Sequence, residues 1–285
     1  MYVWSKLSSP KWEDAWQERF YSEGQTNCVI SQLPSGKSIR VEVYCEDSEH
    51  AEAIQKLFGG SVRELKQENW AAMKPPPRGP IKIRDRLVIT EESEPEEIES
   101  IRAAHPGRQV IAIPAQMAFG TGDHATTATC LRFLVDIAKG FGEADWSMLD
   151  AGCGSGILAI AGSLVGAAPV EGFDYDGHAV GIADENARRN GVADRVRFYE
   201  RDLLAWKPKK AERWDCVFAN VFADVLTAAA PTLQRAVRPG GHLVVSGILV
   251  EHADECLDAL RGAGFEFDEV KRVGKWTTAR ARLAG

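Results

Sequence analysis

Asp150-Ala151-Gly152-Cys153-Gly154-Ser155-Gly156, read with Gly172-Phe173-Asp174, decides how this chain folds. A short apolar run, Trp146 to Leu149, ends in an acid, and three glycines then alternate. An apolar helical pattern follows from Ile157, and one strand later a second acid, Asp174, closes the run from Val170. A Rossmann-like fold builds a nucleoside site in this way. Glycines let a ligand approach the backbone, and a carboxylate at the end of the second strand accepts both ribose hydroxyls. The spacing is G-x-G-x-G rather than the G-x-G-x-x-G of dinucleotide enzymes. It favours S-adenosylmethionine, a nucleoside with no pyrophosphate to cradle, and makes a dehydrogenase the weakest reading.

From Trp146 onward strands and helices alternate, as in a doubly wound α/β domain. The pattern predicts strands at 146–150, 170–174, 195–200, 214–219 and 242–247, and helices at 156–166, 177–190, 223–237 and 250–262. Pro239-Gly240-Gly241 reads as a turn feeding the fifth strand. Phe265–Val273 and Lys275–Leu283 read as a closing hairpin turned at Gly274. The expected fold is a Rossmann-like class I methyltransferase domain, a seven-stranded sheet with a terminal antiparallel hairpin.

Upstream, residues 1–66 alternate short elements in the order βαββαβ, which suggests a small α+β ferredoxin-like domain. Ser9-Pro10 opens a helix there, with Trp12, Ala15, Trp16 and Phe20 on one face. Cys28–Leu33 and Ser38–Tyr44 flank a turn at Pro34-Ser35-Gly36-Lys37, and Asp47 caps a helix ended by Gly59-Gly60. Residues 67–109 read as a linker region containing the stiff Pro75-Pro76-Pro77-Arg78-Gly79-Pro80 and two short strands, Ile81–Ile83 and Arg86–Thr90. The acidic stretch Glu91–Ser100 reads as a solvated loop or helix face. Residues 110–285 form the methyltransferase domain.

The 285 residues carry a net charge of −7, which argues against a general nucleic-acid binder. A basic protein partner is compatible with that charge. No apolar stretch approaches the length of a membrane span, and no signal peptide opens the chain, so a cytoplasmic protein is expected. Six cysteines, Cys28, Cys45, Cys130, Cys153, Cys216 and Cys256, lack C-x-x-C pairing and read as reduced and mostly buried, with no metal site. His50, His105, His178, His242 and His252 lack ligand spacing.

Two further motifs lie near the glycine loop in function. Ala118-Phe119-Gly120-Thr121-Gly122-Asp123-His124-Ala125-Thr126-Thr127 is a glycine-bent loop opening a helix. Thr126 and Thr127 stand where hydroxyls and free N–H groups hold a carboxylate such as that of S-adenosylmethionine, or simply cap the helix. His124 is a base or a structural loop histidine. Ala219-Asn220-Val221-Phe222-Ala223 ends the fourth strand, at the sheet's ligand crevice. The amide of Asn220 either accepts a hydrogen bond from an attacking amine or forms a turn, and Phe222 either walls the pocket or packs in the core. Asp150 orders the loop or meets the methionine amino group. Asp202, after the third strand, approaches the adenine or caps a helix. The candidate cofactor residues are therefore Thr126, Thr127, Asp150, Gly152, Gly154, Asp174, Asp202 and Asn220, with Asn220 also the candidate catalytic residue.

Together, Ala118–Thr127, Asp150–Leu158, Gly172–Asp174, Ala219–Ala223 and Pro239–Leu249 resemble the ribosomal protein L11 methyltransferase family. The resemblance implies that Thr127, Gly152, Asp174 and Asn220 contact S-adenosylmethionine. It implies methylation of lysine side chains and the N-terminal amine of the ribosomal protein, with a small N-terminal domain that recognises the substrate and swings on a linker. Val221 departs from the usual isoleucine, and residues 1–66 do not match closely. A related branch acts on lysines of an electron-transfer flavoprotein subunit, so another protein, or a small molecule, is the alternative substrate. A non-catalytic binding module is opposed by the intact glycine loop, Asp174 and Asn220.

Overall fold

A central run of buried strands organises the larger part of the computed structural model, which describes residues 2–12, 16, 20, 28–33, 38–45, 47–64, 80–114, 124–209 and 212–284. The chain divides into two units, Met1–Pro76 and Pro77–Gly285.

In the first unit, β1 (Tyr2–Ser8), β2 (Cys28–Gln32), β3 (Ile39–Cys45) and β4 (Ser61–Glu64) form one sheet in the order β2-β3-β1-β4, every pair antiparallel. This is the ferredoxin-like strand order. Alternation along β3 puts Ile39, Val41, Val43 and Cys45 into the core. Helix α1 (Ser48–Phe58) is capped as expected: the Asp47 carboxylate accepts the His50 N–H at 2.8 Å. The rings of Trp4, Trp16, Phe20 and Phe58 pack together. Trp12 departs from the expected apolar face and is exposed, because Pro10–Trp12 winds as a 3-10 turn with fewer residues per turn than an α-helix. Ala15, the turn at 34–37 and the prolines at 75–79 lie outside the described residues.

The second unit begins with β5 (Ile81–Ile83), β6 (Leu87–Thr90), α2 (Pro95–Ala104) and β7 (Gln109–Ala112). The three strands make a small sheet, β5-β6-β7. Residues 80–109, which the sequence suggests as linker, thus belong to the second unit. Ile83, Leu87 and Ile89 join its core beside Leu131 and Leu134, and this burial is what holds the segment there. The acidic stretch supplies the first turn of α2, where Glu96 and Glu97 favour the helix dipole.

Then follow α3 (Ala125–Phe141), β8 (Met148–Ala151), α4 (Ile157–Leu164), β9 (Val170–Asp174), α5 (Gly177–Arg189), β10 (Val196–Glu200), β11 (Trp214–Asn220), α6 (Ala223–Ala236), β12 (Val237–Leu249), α7 (Ala253–Gly262), β13 (Phe265–Val273) and β14 (Trp276–Leu283). The sheet order is β10-β9-β8-β11-β12-β14-β13. Strands β10, β9, β8, β11 and β12 run parallel, and β14 and β13 close the sheet as the antiparallel hairpin. Beyond the expected 242–247, β12 starts at Val237, because Gly240 takes a positive φ of 75° and carries the strand through Pro239-Gly240-Gly241.

Candidate active site

Chain order reverses direction beside β8: β9 and β10 lie on one side of it, β11 and β12 on the other. A crevice at the carboxyl ends of such strands is where open α/β sheets bind ligands. Strand pairing sets Ala151 opposite Phe173 and Phe218 opposite Asp150, so the glycine loop, Asp174 and Asn220 end adjacent strands and meet at one place.

The loop is built around three glycines with positive φ, Gly152 (80°), Gly154 (51°) and Gly156 (78°). At Gly152 a side chain is excluded by space as well as conformation, since an added Cβ would stand 2.4 Å from Val221 Cγ1. The N–H groups of Gly152 and Cys153 donate to the Phe173 carbonyl at 2.8 and 2.9 Å. Asp174 accepts the Gly154 N–H on one oxygen at 2.9 Å and the Asp176 N–H on the other at 3.1 Å, which fixes its carboxylate plane.

Asp150 is 1 % exposed. Its Oδ2 accepts the Ala159 N–H at 3.2 Å, which ties the end of β8 to the first turn of α4. Its Oδ1 has no partner among the described residues. Burial pushes this carboxyl up to about 8; the Ala159 N–H pulls it down, and the charge of Asp174 adds to the rise.

Thr126 and Thr127 separate. The Thr126 hydroxyl is 2.6 Å from His124 Nδ1, so this histidine is tied to the helix start, and its ring packs edge-on against Trp276 with centroids 5.1 Å apart. Thr127 is 1 % exposed and its Oγ1 is without a partner among the described residues. One turn on, Cys130 lies beside Ser246, the residue paired with Asn220 across β11 and β12. The same cysteine lies close enough to Asp150 to feel its charge. The face of α3 that carries Thr127 and Cys130 therefore covers the ends of β8, β11 and β12. Asn220 Oδ1 is likewise buried without a partner among the described residues. Residues 118–123 of the loop before His124 lie outside the described residues.

Asp202 stands apart. It is exposed, and its Oδ1 accepts the Leu204 N–H at 2.8 Å in a turn after β10, with no helix there to cap. Phe222 is 58 % exposed at the end of β11, so it is not a core residue. Two aromatic residues at this end of the sheet escape the motif reading. Tyr175 follows Asp174 directly and is 78 % exposed; a large aromatic beside the ribose acid is the signal that marks it. Trp276 opens β14, and only its contact with His124 reveals it. Among the described residues no cluster of His, Cys, Asp and Glu is arranged to hold a metal, and no helix is long and apolar enough to cross a membrane.

The sheet order, terminal hairpin, glycine loop and second-strand acid define a class I S-adenosylmethionine-dependent methyltransferase fold. The family model for ribosomal protein L11 methyltransferase (PrmA) matches residues 6–283. The ribosomal protein L11 methyltransferase of Pelotomaculum thermopropionicum is 38% identical over 240 residues, 82% of this chain and 74% of that protein. The one from Clostridium botulinum (strain Eklund 17B / Type B) is 35% identical over 264 residues, 90% of this chain and 79% of that protein. The crystal structure of ribosomal protein L11 methylase from Lactobacillus delbrueckii subsp. bulgaricus superposes with a TM-score of 0.59 at 26% identity, covering 72% of this chain and 99% of that one. The chain belongs to the ribosomal protein L11 methyltransferase family, and it is an enzyme of the methyltransferase class.

Proposed function

We propose that this enzyme uses S-adenosylmethionine to methylate lysine and N-terminal amino groups of ribosomal protein L11. The observation that carries the reading is a set of three buried oxygens without partners among the described residues, Thr127 Oγ1, Asp150 Oδ1 and Asn220 Oδ1, around a glycine loop and a second-strand acid. Buried polar atoms are normally satisfied. This donor set fits an amino-acid nucleoside: a carboxylate for Thr127 and the N–H groups that open α3, an ammonium for Asp150, ribose hydroxyls for Asp174, and close backbone approach at Gly152 and Gly154. When bound, the cofactor supplies a methyl group on an already activated sulfonium.

The chain's own work is then to bind and orient. An ammonium beside Asp150 favours the ionised form that burial disfavours. Asp174, already held by two N–H groups, is preorganised for the ribose. Asp202, at the next strand end, borders the adenine side. Asn220 Oδ1 accepts an N–H of the incoming amine and aims its lone pair at the methyl group. A free lysine has a pKa near about 10.4, and desolvation in the crevice lowers it toward the neutral, nucleophilic form. Water takes the released proton, so no side chain is required as base. Residues 1–66 select the protein substrate, and the enzyme works in the cytoplasm without contacting nucleic acid directly.

The experiment is incubation of the purified protein with tritiated S-adenosylmethionine and purified L11, followed by mass spectrometry of L11 peptides. Label on lysines and the N-terminal amine supports the reading. Label absent from L11 but present on another protein of a lysate overturns the substrate, and no label anywhere overturns the activity.

A further inference from the structure

Helix α5 carries a line of small and polar residues on one face: Ala183, Asn186 and Ala187, followed by Asn190 at its carboxyl cap. These are helical neighbours at three- and four-residue steps. Ala183 lies against the glycine loop, for a Cβ added at Gly156 would stand 2.9 Å from the Ala183 Cβ. Asn186 is fully buried, and its Nδ2 donates to the Ser155 carbonyl at 2.9 Å. Its Oδ1 is buried with no partner among the described residues. An apolar side chain would fill the space without that cost, so the amide is explained by the bond it makes to the loop.

Asn190 makes the complementary attachment. Its Oδ1 accepts the Ala112 N–H at 2.8 Å, while its Nδ2 donates to the Ala112 carbonyl at 2.9 Å and to the Asn186 carbonyl at 2.8 Å. The side chain thus pairs with β7 as a neighbouring strand would. In chain order β7 is the strand that precedes the helix carrying Thr126 and Thr127. One helix face therefore grips the glycine loop through Ser155 and β7 through Ala112.

We propose that Asn186 and Asn190 are positioning residues for cofactor binding, holding the glycine loop and β7 at a fixed separation. The inference rests on the reading of this loop as the S-adenosylmethionine site. It predicts that losing either amide loosens the pocket while leaving the chemistry at Asn220 intact.

The test compares full-length wild type with Asn186→Ala, Asn190→Ala and Ser147→Ala. Ser147 makes partly buried hydrogen bonds at the opposite end of β8 and serves as a stability control. S-adenosylhomocysteine is titrated by calorimetry, and amide hydrogen exchange of residues 151–157 is followed in the cofactor-free protein. Each asparagine variant is expected to weaken binding roughly tenfold, the scale of one lost hydrogen bond's preorganisation, and Asn186→Ala to speed exchange in the loop. Their KM for cofactor rises while kcat at saturation stays near wild type. Wild-type affinity in folded Asn186→Ala and Asn190→Ala overturns the inference, as does an equal loss of affinity in Ser147→Ala. If Asn186→Ala fails to fold, Asn186→Ser and Asn190→Ala decide by the same measurements. Wild type that does not bind S-adenosylhomocysteine at all overturns the site assignment itself, a distinct result.

Discussion

Strands β8 and β11 run side by side, and the carboxylates at their two ends, Asp215 and Asp150, stand in opposite conditions. At the amino end, Asp215 accepts the Ser147 N–H at 2.8 Å and the Ser147 hydroxyl at 2.7 Å, and the Arg238 guanidinium reaches both of its oxygens at 2.7 Å. Burial alone would raise this carboxyl, but the Ser147 bonds and Arg238 outweigh it and hold the group below its ordinary value. At the carboxyl end, Asp150 keeps one oxygen without a partner among the described residues and is pushed up to about 8 by burial. Asn220 closes β11 there with its amide oxygen in the same condition. The paired Asp215 carboxylate contributes to holding the fold. The unpartnered Asp150 oxygen costs stability in the free protein and, on the function proposed above, is kept for a ligand.

The largest break in this contrast is expected from Asn220→Ala. Removing an orienting contact made in the transition state should lower kcat by about a hundredfold, with a smaller change in cofactor affinity. Steady-state rates at saturating cofactor and L11 measure it, and undiminished turnover excludes the orienting role. Asp174→Ala comes next. Loss of a charge-assisted contact should cost roughly 1.5–3 kcal/mol of cofactor binding in a protein that still folds. Calorimetry with S-adenosylhomocysteine decides, and an unchanged Kd removes Asp174 from the site.

The third difference is in pH dependence. Asp150 has a raised folded pKa, so its contribution to stability is full below the unfolded value of about 3.9 and is lost as pH rises toward 8. Asp215 has a lowered one, so its contribution is present above about 3.9 and is lost as pH falls. Urea unfolding of the cofactor-free protein should therefore lose much of its decline between pH 4 and 8 in Asp150→Asn, and part of its acid-side decline in Asp215→Asn. Parallel curves for the two variants contradict the contrast. The smallest effect belongs to Ser147→Ala, which should cost about 1 kcal/mol of stability and leave cofactor affinity alone. A weakened Kd in that variant means the two ends are coupled.

Much of this was legible before any coordinates. The glycine loop, Asp174 and the end of β11 are local patterns, and a parallel sheet brings consecutive strand ends together by its topology alone. The hairpin was equally plain, because Phe265–Val273 and Trp276–Leu283 are long strands broken only at Gly274 and its neighbour. What stayed hidden depends on contacts between distant residues. Nothing in Thr126-Thr127 says that the first hydroxyl is engaged by His124 and the second is not. The Ser147–Asp215–Arg238 cluster joins three segments, and the grip of Asn190 on Ala112 joins the end of α5 to β7. Residues 80–109 looked like a linker because their strands are short, and only packing of Ile83, Leu87 and Ile89 against α3 makes them part of the unit.

Thr127→Val tests most directly whether the carboxyl end holds its polar atoms for a ligand. The substitution keeps the side chain's shape and replaces with a methyl the hydroxyl that has no partner among the described residues. Thermal unfolding of the cofactor-free variant and calorimetry with S-adenosylhomocysteine are measured on the same preparation. Relief of an unsatisfied buried hydroxyl should leave the free protein as stable as wild type or more so, while binding weakens by roughly tenfold. A variant that is destabilised yet binds with wild-type affinity would show that the Thr127 hydroxyl serves the fold and not the ligand.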